Sequence, residues 1–164
     1  MSEHNNKIFN HIKIHSQYSI CEGAIKIDEL KDQAKELKIS SLGLCDTSNL
    51  CGAVEFSDKL SKVGTQPIIG TQINFKFQET IGLLPLFALN SNGYKKIIEL
   101  SSKSYLANDN ISNPHLDIND LFKKDNTGIS IFSGTVFGLF GQLFHKGKFE
   151  EINNLYIKFV KTFG

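Results

Sequence analysis

"SSLGLCDTSNLCGAVEFSDKLSKVG", residues 40–64, decides the fold class. Its first part, "SSLGLCD", is a short apolar run closed by polar turn formers, the signature of a buried strand. In the remainder, Leu50, Val54 and Leu60 fall at helical spacing, and Gly64 supplies a helix stop. A strand feeding straight into a helix is the repeating unit of α/β architectures.

The same alternation extends both ways along the chain. Toward the N-terminus, "KIFNHIKIH" (7–15) predicts a strand with Ile8, Asn10, Ile12 and Ile14 on one face and His11, Lys13 and His15 on the other. "KIDELKDQAKELKI" (26–39) predicts a surface helix with Ile27, Leu30, Ala34 and Leu37 inward and Asp28 available as a cap. Toward the C-terminus, "QPIIGTQINFKF" (66–77) and "GLLPLFAL" (82–89) predict strands, with Pro67 at a strand start where a missing N–H is tolerated. "SNGYKKIIELSSKSYL" (91–106) predicts a helix. After a polar loop around "ANDNISNPH", "TGISIFS" and "TVFGLFGQLFHKG" supply one more strand and helix. The last helix, "KFEEINNLYIKFVKTF" (148–163), sets Phe149, Ile152, Leu155, Tyr156, Phe159, Val160 and Phe163 along one stripe, read as core. Strands separated by helices predict parallel pairing in an α/β layer or barrel, whose ligands sit at the carboxyl ends of the strands.

Composition sets the outer limits. A chain of 164 residues with 40% hydrophobic and 21% charged residues is sized and balanced for one globular domain. A net charge of +1 carries no global field toward nucleic acid or a membrane. All eighteen basic residues are lysine, a bias that accompanies abundant Asn and Ile and follows AT-rich coding. Three cysteines, Cys21, Cys45 and Cys51, in no ladder spacing and behind an N-terminus without a signal segment, point to a reducing cytoplasm. Cys45 and Cys51 read as small apolar fillers. Residues 126–144 carry no charge, but their polar residues and four glycines exclude a lipid-facing helix, so no membrane contact is expected. The glycines of "FSGTVFG" lack a phosphate-loop context and read as a turn, and Asp46 to Asn49 read as helix-capping residues. His4, His115 and His145 have no ligand-like neighbours in sequence and read as surface or loop residues.

Six blocks in order, "HIKIHSQYSICEGAIKI", "LGLCDTSNLCGAVEF", "QPIIGTQINF", "LFALNSNGYKKIIELSSKSYL", "IFSGTVFG" and "LFHKG", resemble the polymerase and histidinol phosphatase (PHP) family. The likeness is to the form found at the N-terminus of the bacterial DNA polymerase III alpha subunit. It implies the N-terminal part of a distorted (β/α) barrel over 1–164, parallel strands alternating with helices, with the family barrel continuing further. Active relatives hold zinc, manganese or magnesium at the strand ends, where neighbouring cations generate hydroxide and clamp phosphate oxygens.

Carried over residue by residue, the resemblance places the family's ligand positions on Lys13, His15, Glu22, Asp46, Thr47, Gln72, Leu83 and Thr135. An ammonium, an amide, a leucine and a threonine then stand where lone-pair donors are needed. Of this set, His15 and Glu22 are the plausible ligands, with Asp46 a third at most, and a catalytic zinc takes three protein ligands and an open position. The expectation is a vestigial site with no catalytic residue and no cofactor, in which Lys13, near Glu22 and Asp46, replaces the metal's charge as a structural cation. Expected partners are the remaining domains of the polymerase alpha chain and the proofreading exonuclease subunit, with DNA met only through the full polymerase. Rival readings are an active metal-dependent PHP phosphoesterase or 3'-5' exonuclease, and a free-standing interaction module.

Overall fold

The computed structural model describes residues 9–107, 113–123 and 127–163. In chain order these form α1 (Ile27–Glu36), β1 (Ser41–Thr47), α2 (Ala53–Ser61), β2 (Gln66–Phe77), β3 (Thr80–Ala88), α3 (Ser91–Leu106), β4 (Leu116–Asp117), β5 (Ile129–Ile131), α4 (Leu139–His145) and α5 (Phe149–Phe163). A 3-10 helix, Ile118–Phe122, follows β4. The expected strands and helices between residues 26 and 106 are present, so the α/β class holds.

The sheet runs β1-β2-β3-β5, with β4 beside β2. β1 is parallel to β2 with Thr47 opposite Gln72, and β4 takes the same edge of β2 farther on, at Phe75 and Lys76. The all-parallel expectation is corrected at β3, which is antiparallel to both β2 and β5. Only Gln78 and Glu79 join β2 to β3, and two residues can close a hairpin but cannot make a parallel crossover. Each strand other than β3 runs in one direction, so the sheet is mixed rather than fully alternating.

The predicted first strand is also corrected. Residues 9–13 form no ladder, and Ile8 lies outside the described residues; the segment joins the sheet through an isolated parallel bridge of Ile14 to Leu44. Three backbone hydrogen bonds hold it there: Ile14 N–H to Gly43 C=O, Gly43 N–H to His11 C=O, and Cys45 N–H to Ile14 C=O. Gly43 permits this approach, because a Cβ built on it would lie 2.2 Å from the Ile12 carbonyl oxygen.

Two hydrophobic clusters hold the elements together. Ile27, Leu30 and Ala34 of α1 pack with Phe56 and Leu60 of α2 and with Leu42 and Leu44 of β1. Ile73, Phe75, Leu84 and Leu86 of the hairpin pack with Ile97 and Leu100 of α3, Leu139 and Leu143 of α4, and Leu155 of α5. Helix boundaries differ from expectation in small ways. α1 is capped by Lys26, whose N–H donates to Glu29, and Asp28 sits inside its first turn. α2 begins at Ala53 behind Gly52, so Leu50 precedes it and Val54 points outward. The larger departure is α5: of its predicted stripe Leu155 alone is buried, while Phe149, Tyr156 and Val160 are exposed. Cys51 is exposed too, whereas Cys45 is a buried filler as expected.

Candidate functional site

Six of the eight positions predicted from sequence line one mouth. A cavity of about 400 Å³ is lined by Lys13, His15, Glu22, Gln72, Leu83, Gly134, Thr135, Phe137 and Gly138. Lys13 and His15 arrive on the segment bonded to β1, Glu22 on the turn after it, Gln72 from β2, Leu83 from β3 and Thr135 from the loop before α4. That loop is drawn against the hairpin by a bridge of Leu83 to Gly138.

Strand periodicity sorts the remaining two. Successive residues of a strand face opposite sides, so Asp46 and Thr47, adjacent at the end of β1, cannot both face the mouth. Thr47 does: in register with Gln72, it accepts a 2.7 Å hydrogen bond from the Gln72 amide and donates its own hydroxyl proton to Glu22 Oε2. Gln72, Thr47 and Glu22 thus form a chain of hydrogen bonds across the mouth. His15 Nδ1 lies 3.9 Å from the same Glu22 oxygen and is buried without a hydrogen-bond partner.

Asp46 faces away. It is 1% exposed, and its carboxylate accepts the Ser16 N–H at 2.7 Å, the Ser16 hydroxyl at 2.8 Å and the Ser19 hydroxyl at 2.8 Å. The two serines continue outward: Ser16 Oγ accepts from Tyr18 N–H, and Ser19 Oγ accepts from Thr47 N–H. A carboxylate saturated by fixed donors is held for structure. Neither a metal-ligand role nor the capping role expected of Asp46 fits this placement. Asn49 does not cap α2 either; its side chain ties Tyr18 C=O, Thr47 C=O and Cys51 N–H together. Ser16 and Ser19 were not singled out from sequence, and their spacing in "SQYS" marks a turn without revealing what it wraps.

The charge of Lys13 also falls differently from expectation. Its side chain is exposed, and among the described residues it makes no ion pair with Glu22 or Asp46. Buried beneath it, the Cys45 thiol is pushed up to about 12 by desolvation, with Lys13 pulling the other way and Asp46 and Glu22 adding to the rise. It is therefore an inert thiol. Among the described residues no three His, Cys, Asp or Glu side chains gather as a metal-binding group. His15 and Glu22 alone offer suitable donors at the mouth, one short of the protein ligands a catalytic zinc takes, and Glu22 is already engaged by Thr47. The residues present do not fit a multinuclear metal centre.

Residues 11–164 match the PHP domain model. The chain belongs to the PHP domain family. Among its curated relatives, DNA polymerase III subunit alpha of Borreliella burgdorferi is 35% identical over 167 residues, covering 95% of this chain. The same subunit of Caulobacter vibrioides is 32% identical over 177 residues, covering all of it. The chain spans 14% and 15% of the length of these two relatives. A solved protein of Bifidobacterium adolescentis, described as a candidate metal-dependent phosphoesterase, overlaps with a TM-score of 0.48 at 20% identity, covering 60% of this chain and 33% of that one. That likeness is too loose to carry an argument. No helix among the described residues is long and apolar enough to cross a membrane.

Proposed function

We propose that this PHP domain is the N-terminal segment of a replicative DNA polymerase III alpha subunit and serves there as a structural and docking domain with a metal-free mouth. One observation carries the reading: the chain Gln72 to Thr47 to Glu22 occupies, with hydrogen bonds, the space where lone-pair donors would have to converge on a cation. The retained shape and the lost donors fit a domain kept for packing rather than hydrolysis. Template-directed synthesis, with its own carboxylates, belongs on this reading to other parts of the polymerase chain. Those parts and the proofreading exonuclease subunit are the proposed partners, the cytoplasm is the proposed compartment, and DNA is reached only through the assembled polymerase.

Metal analysis of the purified chain after exposure to zinc and to manganese, paired with hydrolysis of a model phosphodiester, tests this. The expected result is substoichiometric metal and no chelator-sensitive turnover. Stoichiometric metal with turnover abolished by chelator and by replacing His15 would establish a phosphoesterase or exonuclease instead. Capture of the proofreading subunit in the absence of any polymerase chain would favour a free-standing interaction module.

A further inference from the structure

We propose that the step from Asn92 to Gly93 is a latent self-modification site, deamidated through a succinimide whenever the first turn of α3 opens, and that Asn90 guards it. This is independent of the proposed function. The sequence holds a single Asn-Gly step, at Asn92 and Gly93, and glycine sets no side chain in the way of the ring closure. The chemistry balances with water alone. The Gly93 backbone nitrogen gives up its proton to solvent base and attacks Cγ of Asn92; the new N–Cγ bond forms as the Cγ–Nδ2 bond breaks, and the side-chain nitrogen leaves as ammonia. Water then opens either carbonyl of the ring, leaving aspartate or isoaspartate at this position.

Three features oppose the reaction in the folded chain. Asn92 is exposed, but it is the second residue of α3, where helical dihedrals hold the Gly93 nitrogen away from Cγ, so ring closure requires the turn to open. An N–H this near a helix start has no partner within the helix; here Gly93 N–H donates to Asn90 Oδ1 at 3.0 Å. Gly93 is also buried, seated so closely on Gly128 that a Cβ built on it would overlap the Gly128 carbonyl oxygen. That carbonyl accepts the Leu89 N–H at 2.8 Å. Packing thus demands glycine at this position and thereby creates the labile step, while the Asn90 cap holds the attacking nitrogen. The two products differ in consequence. Aspartate keeps the backbone and adds a carboxylate to a first turn that has no acidic residue, where the helix dipole favours it. Isoaspartate routes the chain through an extra methylene, so Gly93 cannot return to its seat on Gly128. Loss of ammonia makes the conversion one-way, and the isoaspartate fraction accumulates as a record of how often the turn has opened.

Peptide mapping by mass spectrometry follows the amide-to-acid conversion at Asn92 over time in neutral buffer. A synthetic peptide of residues 87–98 is the unguarded reference, and circular dichroism confirms that each variant folds. The folded chain is expected to convert at least about tenfold more slowly than the peptide. Asn90→Ala converts about fivefold faster than the wild type, the change in open population that follows loss of one capping bond. Asn90→Ser, which restores an acceptor, returns the rate to that of the wild type. Asp46→Asn, which weakens the fold outside α3, leaves it unchanged. The isoaspartate fraction shows faster amide exchange at Leu89. A folded chain that converts as fast as the peptide would overturn the proposal, as would an Asn90→Ala rate no higher than that of the wild type. So would an Asp46→Asn rate raised as much as that of Asn90→Ala, which traces the exposure to global unfolding rather than to the guarded turn.

Discussion

Removing the buried carboxylate of Asp46 separates a structural role from a ligand role. Its oxygens accept hydrogen bonds from Ser16 N–H, Ser16 Oγ and Ser19 Oγ, and the residue is 1% exposed. A hydrogen bond to a charged group contributes about 1.5–3 kcal/mol, so three would nominally contribute several kcal/mol more than one. The contributions do not add fully, because Asp46→Ala frees space for water and the two hydroxyls can rotate. A loss of about 3–5 kcal/mol is expected, a large part of a domain stability that lies in the range of about 5–15 kcal/mol. Asp46→Asn keeps one oxygen acceptor and lets a hydroxyl turn to accept from its amide, so it should cost about 1–2 kcal/mol. Glu22→Gln, at the open mouth, should cost under about 1 kcal/mol. Urea unfolding checks the order, with the midpoint falling and the slope unchanged, since the surface exposed on unfolding is the same. If Asp46→Ala unfolds within about 0.5 kcal/mol of the wild type, the carboxylate is not a structural tie and the account of this site is wrong.

Gly43→Ala should shift the N-terminal segment off β1, because the added Cβ meets backbone rather than a yielding side chain; faster amide exchange at Ile14 and Cys45 would show it. Lys13→Met should leave stability within about 0.5 kcal/mol, since the ammonium is exposed and unpaired with Glu22 or Asp46, and a thermal melt checks this. A thiol reagent at neutral pH should modify Cys21 and Cys51 and spare Cys45 until the chain unfolds. The Cys45 thiol ionises near 12 when folded and at an ordinary thiol pH, 9.0, when not. The folded state therefore holds its proton more tightly. The associated stability is full below pH 9.0 and is lost as pH rises toward 12, which Cys45→Ala should abolish in a pH series of unfolding midpoints.

The local elements were legible because they depend on neighbours in the chain. β1 announced itself as an apolar run, α1 and α3 as amphipathic periods, and each formed near the expected residues. Local patterning was silent on direction at β3, whose reversal follows from a two-residue connection. It was silent on β4 as well, a strand too short to show periodicity. α5 misled for a related reason: periodicity marks an apolar stripe but does not say whether anything covers it.

The candidate site divides along the same line. Sequence by itself determined the residue types at the mouth, hence that an ammonium, an amide and a hydroxyl stand among few metal-type donors. Tertiary structure alone decided their partners, because Thr47 meets Gln72 through strand register and Asp46 meets Ser16 and Ser19 through a turn some thirty residues away in the chain. A residue's chemistry is carried by its own atoms, whereas which lone pair faces which proton depends on strand parity and on contacts between distant segments.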